Sequence, residues 1–206
     1  MEKMRYYALW LALACIIIFV LQLIIPIFTD ALVLNQLSWH EPYRFITSIF
    51  LHGSLQHLIL NLFALILFGL ILEKLVGGKR FLLVFFASGI IANLIAVNFY
   101  NSSLGVSGAI YGIIGCLALL RPLMVVWAFG MPMPMFIAAI LWAALDIIGI
   151  FYPTGTGNIA HLTGLGVGLI LGAFFRIFHT KKSVLRYGIQ LDENAIRDWE
   201  KRHIER

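Results

Sequence analysis

Charge is scarce in this 206-residue chain: 12% of its residues are Asp, Glu, Lys or Arg, against 61% hydrophobic. So little charge excludes a soluble globular domain of this size, and the mean hydropathy of +0.94 points the same way. Cysteine is almost missing too. Cys15 and Cys116 both fall inside apolar runs, which leaves two small buried hydrophobes and no disulfide or metal framework. The first apolar run lacks a small-residue cleavage site and is too long for the core of a signal peptide, so it is expected to be retained. An internal repeat and matched broken helices, the marks of many small transporters, are also missing.

What is present is a series of six apolar stretches, roughly 6–28, 54–73, 81–100, 106–120, 134–151 and 159–178. Most approach or exceed the ~20 residues that span a bilayer. They predict an all-α polytopic membrane protein, a bundle of six transmembrane helices over residues 1–179. A charged tail, 180–206, follows. Within it Leu191-Asp192-Glu193 reads as a helix start, with Ala195, Ile196, Trp199 and Ile204 as an apolar stripe. The net charge of +5 does not signal nucleic acid, because of where it lies. Lys3, Arg5, Lys74, Lys79, Arg80, Arg121, Arg176, Lys181, Lys182 and Arg186 all fall at segment ends of one parity, and only Arg44 at the other. That bias predicts cytoplasmic termini, with loops 29–53, 101–105 and 152–158 outside.

Polar residues inside such segments are costly unless partnered. Gly105-Val106-Ser107-Gly108 opens the fourth segment. A serine between glycines at a helix entrance is a candidate nucleophile, because glycine allows close approach and the free N–H groups of a helix start can hold an oxyanion. Glycine–serine clusters also serve close helix packing. That segment is short: about 15 residues, or ~22 Å, against a hydrocarbon core of ~30 Å. Ser107 should therefore lie below the outer surface, inside the bundle and reached by water.

His57 and Asn61 are four apart and share one face of the second segment, with His52 just before it. Glu73, at the other end, reads as a solvated or paired charge. Asp146 is a lone acid in segment five. It is expected to make a structural hydrogen bond or face a wet cavity, ahead of orienting a histidine, so Asp146→Asn should keep substantial activity. In segment six Gly164, Gly168 and Gly172 are spaced four apart, and His161 is three before Gly164 on the same face. Packing that face on Gly108, Gly112 and Gly115 of segment four would bring Ser107 to His161. Loop 152–158 is glycine-rich, which suits a lid.

Together these motifs resemble the rhomboid family of intramembrane serine proteases. Gly105-Val106-Ser107-Gly108 is similar to its GxSG motif, and Tyr43-Arg44 to its aromatic-Arg pair. His52, His57 and Asn61 are similar to its HxxxxHxxxN pattern, and Ala160-His161 with Gly164 and Gly168 to its AHxxGxxxG. The likeness covers roughly residues 5–178. It implies a dyad of Ser107 as nucleophile and His161 as base, with His57, Asn61 and the Ser107 N–H as oxyanion donors. Tyr111 would stack on the histidine, Gly105 belongs to the motif, and His52 and Arg44 would support the first loop. Segment five and loop 152–158 would be gate and cap. The expected protein is multi-pass in the cell membrane, its site opening to the outer face. It would cleave transmembrane segments of single-pass or other membrane proteins, with the lipid bilayer as its other partner, and would use no metal, cofactor or nucleic acid. The rival classes are a catalytically silent relative that binds membrane proteins, and a small transporter.

Overall fold

The computed structural model describes residues 4–152 and 157–186, with side chains through Ile177. Residues 153–156 of the expected lid, and the tail beyond Arg186, lie outside the described residues. The described chain is mostly helical. Among the described residues, four helices are long and apolar enough to cross a membrane: α1 (Tyr7–Ile24), α4 (Leu55–Val76), α5 (Gly78–Ala96) and α8 (Asn158–Arg186), the last by its part Asn158–Ile177. The two others drawn as spans from the sequence, α6 (Ser107–Leu120) and α7 (Met135–Phe151), are shorter, at 14 and 17 residues. The chain is a multi-pass membrane protein. Residues 1–173 form one compact unit, and a second begins at Phe174, where α8 continues.

Helix α6 is the centre of the first unit. Every residue from Gly108 to Ala118 except Tyr111 is buried, as befits an apolar helix surrounded by others. Helix α5 buries Phe81, Val84, Phe85, Ser88, Gly89, Ala92, Asn93 and Ala96, the 3–4 spacing of a single packed face. Between α6 and α7, the connector at 122–133 forms a hairpin: β3 (Val125–Ala128) pairs antiparallel with β4 (Met131–Pro134), and Phe129 and Gly130 turn with positive φ.

Loop 29–53 is built rather than loose. It contains α2 (Phe28–Leu32), β1 (Leu34–Asn35) and α3 (Arg44–Thr47). Strand β1 pairs antiparallel with β2 (Ser102–Ser103), which ties this loop to the segment entering α6. Asn93 of α5 strengthens that tie: its Nδ2 donates to Phe45 O at 2.9 Å and to Ser48 Oγ at 3.0 Å. The sequence treats Asn93 as a packing residue. Its partners lie 45 and 48 positions away, beyond any local pattern.

Glu73, expected as a solvated or paired helix-end charge, lies near the end of α4 but is not solvated. It is 2% exposed, and its carboxylate accepts the backbone N–H of Tyr7 at 3.0 Å and of Ala8 at 3.1 Å. A side chain of α4 thus caps α1, satisfying N–H groups that no acceptor within α1 can reach. Glu73→Ala should cost about 2–3 kcal/mol, the worth of charge-assisted bonds lost from a buried site. A lower thermal midpoint of the purified protein in detergent is the expected reading, and an unchanged midpoint contradicts the capping role.

Candidate active site

The polar residues converge because three helix starts meet. Ser54 Oγ accepts the His57 backbone N–H at 3.1 Å. This N-cap fixes where α4 begins, so His57 sits in its first turn and Asn61 one turn on. Gly105 leads into α6 with φ +121°, a backbone state that a Cβ makes costly. A Cβ at this position would also stand 2.8 Å from His57 Cε1 and 3.1 Å from Nε2, with Asn61 Nδ2 at 3.9 Å. Glycine thus lets the segment lie directly against both side chains. Its N–H is anchored to Ser48 O at 2.9 Å.

Ser107 is the first residue of α6, so the N–H groups of its turn have no intrahelical acceptor. His161 lies in the first turn of α8, its own N–H bonded to Gly157 O at 3.0 Å. The two helices touch backbone to backbone. A Cβ on Gly164 would overlap the Gly108 carbonyl, and one on Gly168 the Gly112 carbonyl. With no side chains between the helices, Ser107 Oγ comes to 2.8 Å from His161 Nε2. The Tyr111 ring stacks on the imidazole, with centroids 4.3 Å apart and planes within 10°.

A cavity of about 1550 Å³ opens over this pair and is lined by Ser107, His161, His57, Asn61, Gly105 and Tyr111 among others. Trp142 and Phe68, an edge-to-face pair at 6.0 Å, form part of its apolar wall; no sequence motif marks them. Asn61 Nδ2 is buried and has no hydrogen-bond partner among the described residues. A buried donor held ready at a cavity can serve an anion that arrives with the substrate.

Two residues stand behind this layer. His52 is 1% exposed; Gln22 of α1 brackets its backbone, and its ring meets that of His57 edge-on at 5.2 Å. Burial, with His57 adding to it, lowers the His52 pKa to about 4, so the ring is neutral near pH 7. Arg44 is buried within loop 29–53, where Nη1 donates to Asp30 O at 2.7 Å and Val33 O at 3.0 Å, and Nε donates to Glu41. That last bond, with one from Tyr43, holds the exposed Glu41 carboxyl below the usual carboxylate range.

Asp146 is where sequence and structure part. It is 5% exposed on α7, and its Oδ1 is 2.9 Å from His161 Nδ1. The sequence ranks this role last, because a lone acid gives no sign of a partner on the next helix.

The fold and site define a polytopic membrane protein with a serine–histidine pair under an aromatic ring at a cavity. The rhomboid domain family matches over residues 39–178, and the chain belongs to that family. It is 31% identical over 147 residues to RHOMBOID-like protein 6, mitochondrial, of Arabidopsis thaliana, covering 68% of this chain and 47% of that one. It is 28% identical over 134 residues to the rhomboid protease GlpG of Haemophilus influenzae, covering 64% of this chain and 69% of that protein. It is also 37% identical over 92 residues to inactive RHOMBOID-like protein 8 of Arabidopsis thaliana, covering 41% of this chain and 26% of that one. The chain thus spans less than half the length of these plant relatives. One of these relatives is named as inactive.

Proposed function

We propose that this protein is an intramembrane serine endopeptidase working through a Ser107–His161 dyad. The observation that carries this reading is the 2.8 Å approach of Ser107 Oγ to His161 Nε2. Serine is a weak nucleophile until a base accepts its proton, and a histidine at hydrogen-bond distance is that base. Attack joins Oγ to the peptide carbonyl carbon as the hydroxyl proton moves to Nε2. The oxyanion that forms is met by the Ser107 N–H, Asn61 Nδ2 and His57. The imidazolium returns its proton to the leaving amine as the C–N bond breaks, and water then releases the acyl group by the same steps.

The reading includes six membrane-crossing helices over 1–179, with a tail at 180–206. Both termini lie in the cytoplasm and the site opens toward the outer face of the cell membrane. Substrates are membrane proteins, single-pass ones above all, whose transmembrane segment enters beside α7. The short α6 supports this placement, because it leaves Ser107 below the outer surface with a cavity above it.

The test is cleavage of a labelled single-pass membrane substrate by the purified, detergent-solubilised protein, beside Ser107→Ala. Cleavage by the first and not the second is expected. No cleavage by either favours the silent relative that the inactive plant homologue brings into view. Among further variants, Asn61→Ala should lower kcat by up to about 10²–10³-fold with little change in KM, since an oxyanion donor acts in the transition state. Overlap with His57 makes the loss smaller. A change confined to KM contradicts the assignment.

A further inference from the structure

The dyad leaves a buried carboxyl group beside it unused. Asp146 contributes Oδ1 to His161 Nδ1 at 2.9 Å, while the opposite ring nitrogen faces Ser107 Oγ at 2.8 Å. Carboxylate, imidazole and hydroxyl therefore form one unbroken line across α7, α8 and α6. We infer that Asp146 is a positioning residue for the reaction: it holds His161 in the tautomer and orientation that leave Nε2 free to take the serine proton. This inference rests on the proteolytic reading above.

The chemistry follows from what each group can donate. A neutral imidazole carries one N–H, and the partner of one nitrogen decides where that hydrogen sits. An ionised carboxylate only accepts. Facing Asp146, Nδ1 must carry the hydrogen, which leaves Nε2 with its lone pair toward Ser107. The Tyr111 stack alone holds the ring plane but cannot choose between the two nitrogens.

Charge adds to orientation. When Oγ bonds to the substrate carbonyl carbon, its proton passes to Nε2 and the ring becomes an imidazolium. The titratable groups around that ring are Asp146 from α7, Tyr111 from α6 and His57 from α4. Of these, Asp146 is the one that carries a carboxyl group, the group able to act as counter-ion of the imidazolium. The carboxylate keeps its charge throughout, and the proton goes on from Nε2 to the leaving amine. The second oxygen, Oδ2, is buried with no hydrogen-bond partner among the described residues. The Tyr111 side chain also neighbours this carboxyl group, so Asp146 faces both rings of the stack.

The experiment measures kcat and KM of the purified full chain against a single-pass substrate from about pH 5 to 9, for wild type, Asp146→Asn, Asp146→Ala and Asp146→Glu. Asn offers its amide N–H to Nδ1 and so favours the wrong tautomer. Its kcat should fall about 10²–10⁴-fold, with KM within about threefold. Asp146→Glu should recover part of the loss. In Asp146→Ala the acid limb of kcat/KM should move about one unit lower in pH, because the imidazolium has lost its counter-ion. A folded Asp146→Asn with near-wild-type kcat and an unmoved acid limb overturns the inference, as does a loss confined to KM.

Nitrogen NMR of ¹⁵N-histidine-labelled protein gives a reading independent of turnover and of the variants' folding. The wild-type His161 ring should be the Nδ1–H tautomer, and an Nε2–H tautomer overturns the inference. Failure of the proteolytic reading appears separately, as equal cleavage by wild type and Ser107→Ala.

Discussion

Ser107→Ala and His161→Ala should each lower cleavage by about 10⁴–10⁶-fold, down to background, in protein that still inserts and folds. The size of the loss follows from the way the two groups act. Without Oγ there is no nucleophile. Without the imidazole no base stands within hydrogen-bond distance of Oγ to take its proton. Because the pair works as one unit, the double variant should be no worse than either single one. The changes are mild for the fold. Ala at the first position of α6 keeps the helix start, and His161→Ala removes a ring that is partly exposed to the cavity. Retained thermal midpoints with lost cleavage are the expected pattern. Robust turnover by purified Ser107→Ala contradicts the assignment.

Replacing the helix-weakening residues at the outer end of a cleavable substrate segment by Leu should abolish its cleavage. A peptide bond in a helix has its carbonyl carbon enclosed by the hydrogen-bonded backbone, so attack by Ser107 requires an extended stretch. Unwinding in hydrocarbon leaves N–H and C=O groups unsatisfied, at several kcal/mol each. Gly and Pro reduce that cost, being about 1 and 3 kcal/mol poorer in helices than Ala, while Leu is among the best helix formers. Once unwound, the strand enters a cavity large enough to solvate it. Mass spectrometry of the product termini should place cuts near the outer end of the segment, next to small residues. Cuts clustered at the cytoplasmic end, or undiminished cleavage of an all-Leu segment, contradict either the proposed orientation or the unwinding requirement.

The features legible in the sequence are those encoded by short periods. Near-continuous apolar runs of about membrane-spanning length mark the long helices. The ladder of Gly164, Gly168 and Gly172 marks the face of α8 that meets α6, and His161 on that face leads directly to Ser107. His57 and Asn61 are legible for the same reason, being one turn apart on α4. What stays hidden is whatever depends on a distant partner or on a loop. Glu73 reads as a charge at a helix end, because nothing local says that the start of α1, 66 positions earlier, comes to rest against it. Asn93 reads as packing for want of Ser48 and Phe45. Asp146 stands 15 positions from His161 and on a different helix, so no local spacing links the two. Span count is limited in another way. Length and apolarity qualify four helices, and α6 and α7 fall short; α6, buried by its neighbours, need not match the full bilayer thickness to remain helical.

The most direct test of the account is covalent capture of the nucleophile. The purified full chain is treated with a fluorophosphonate, which reacts with a serine only when a base activates it, and the adduct is located by peptide mass spectrometry. The account predicts a single adduct on Ser107, its absence in His161→Ala, and loss of substrate cleavage in step with labelling. An adduct on another residue, or full cleavage by protein whose Ser107 is completely labelled, contradicts it.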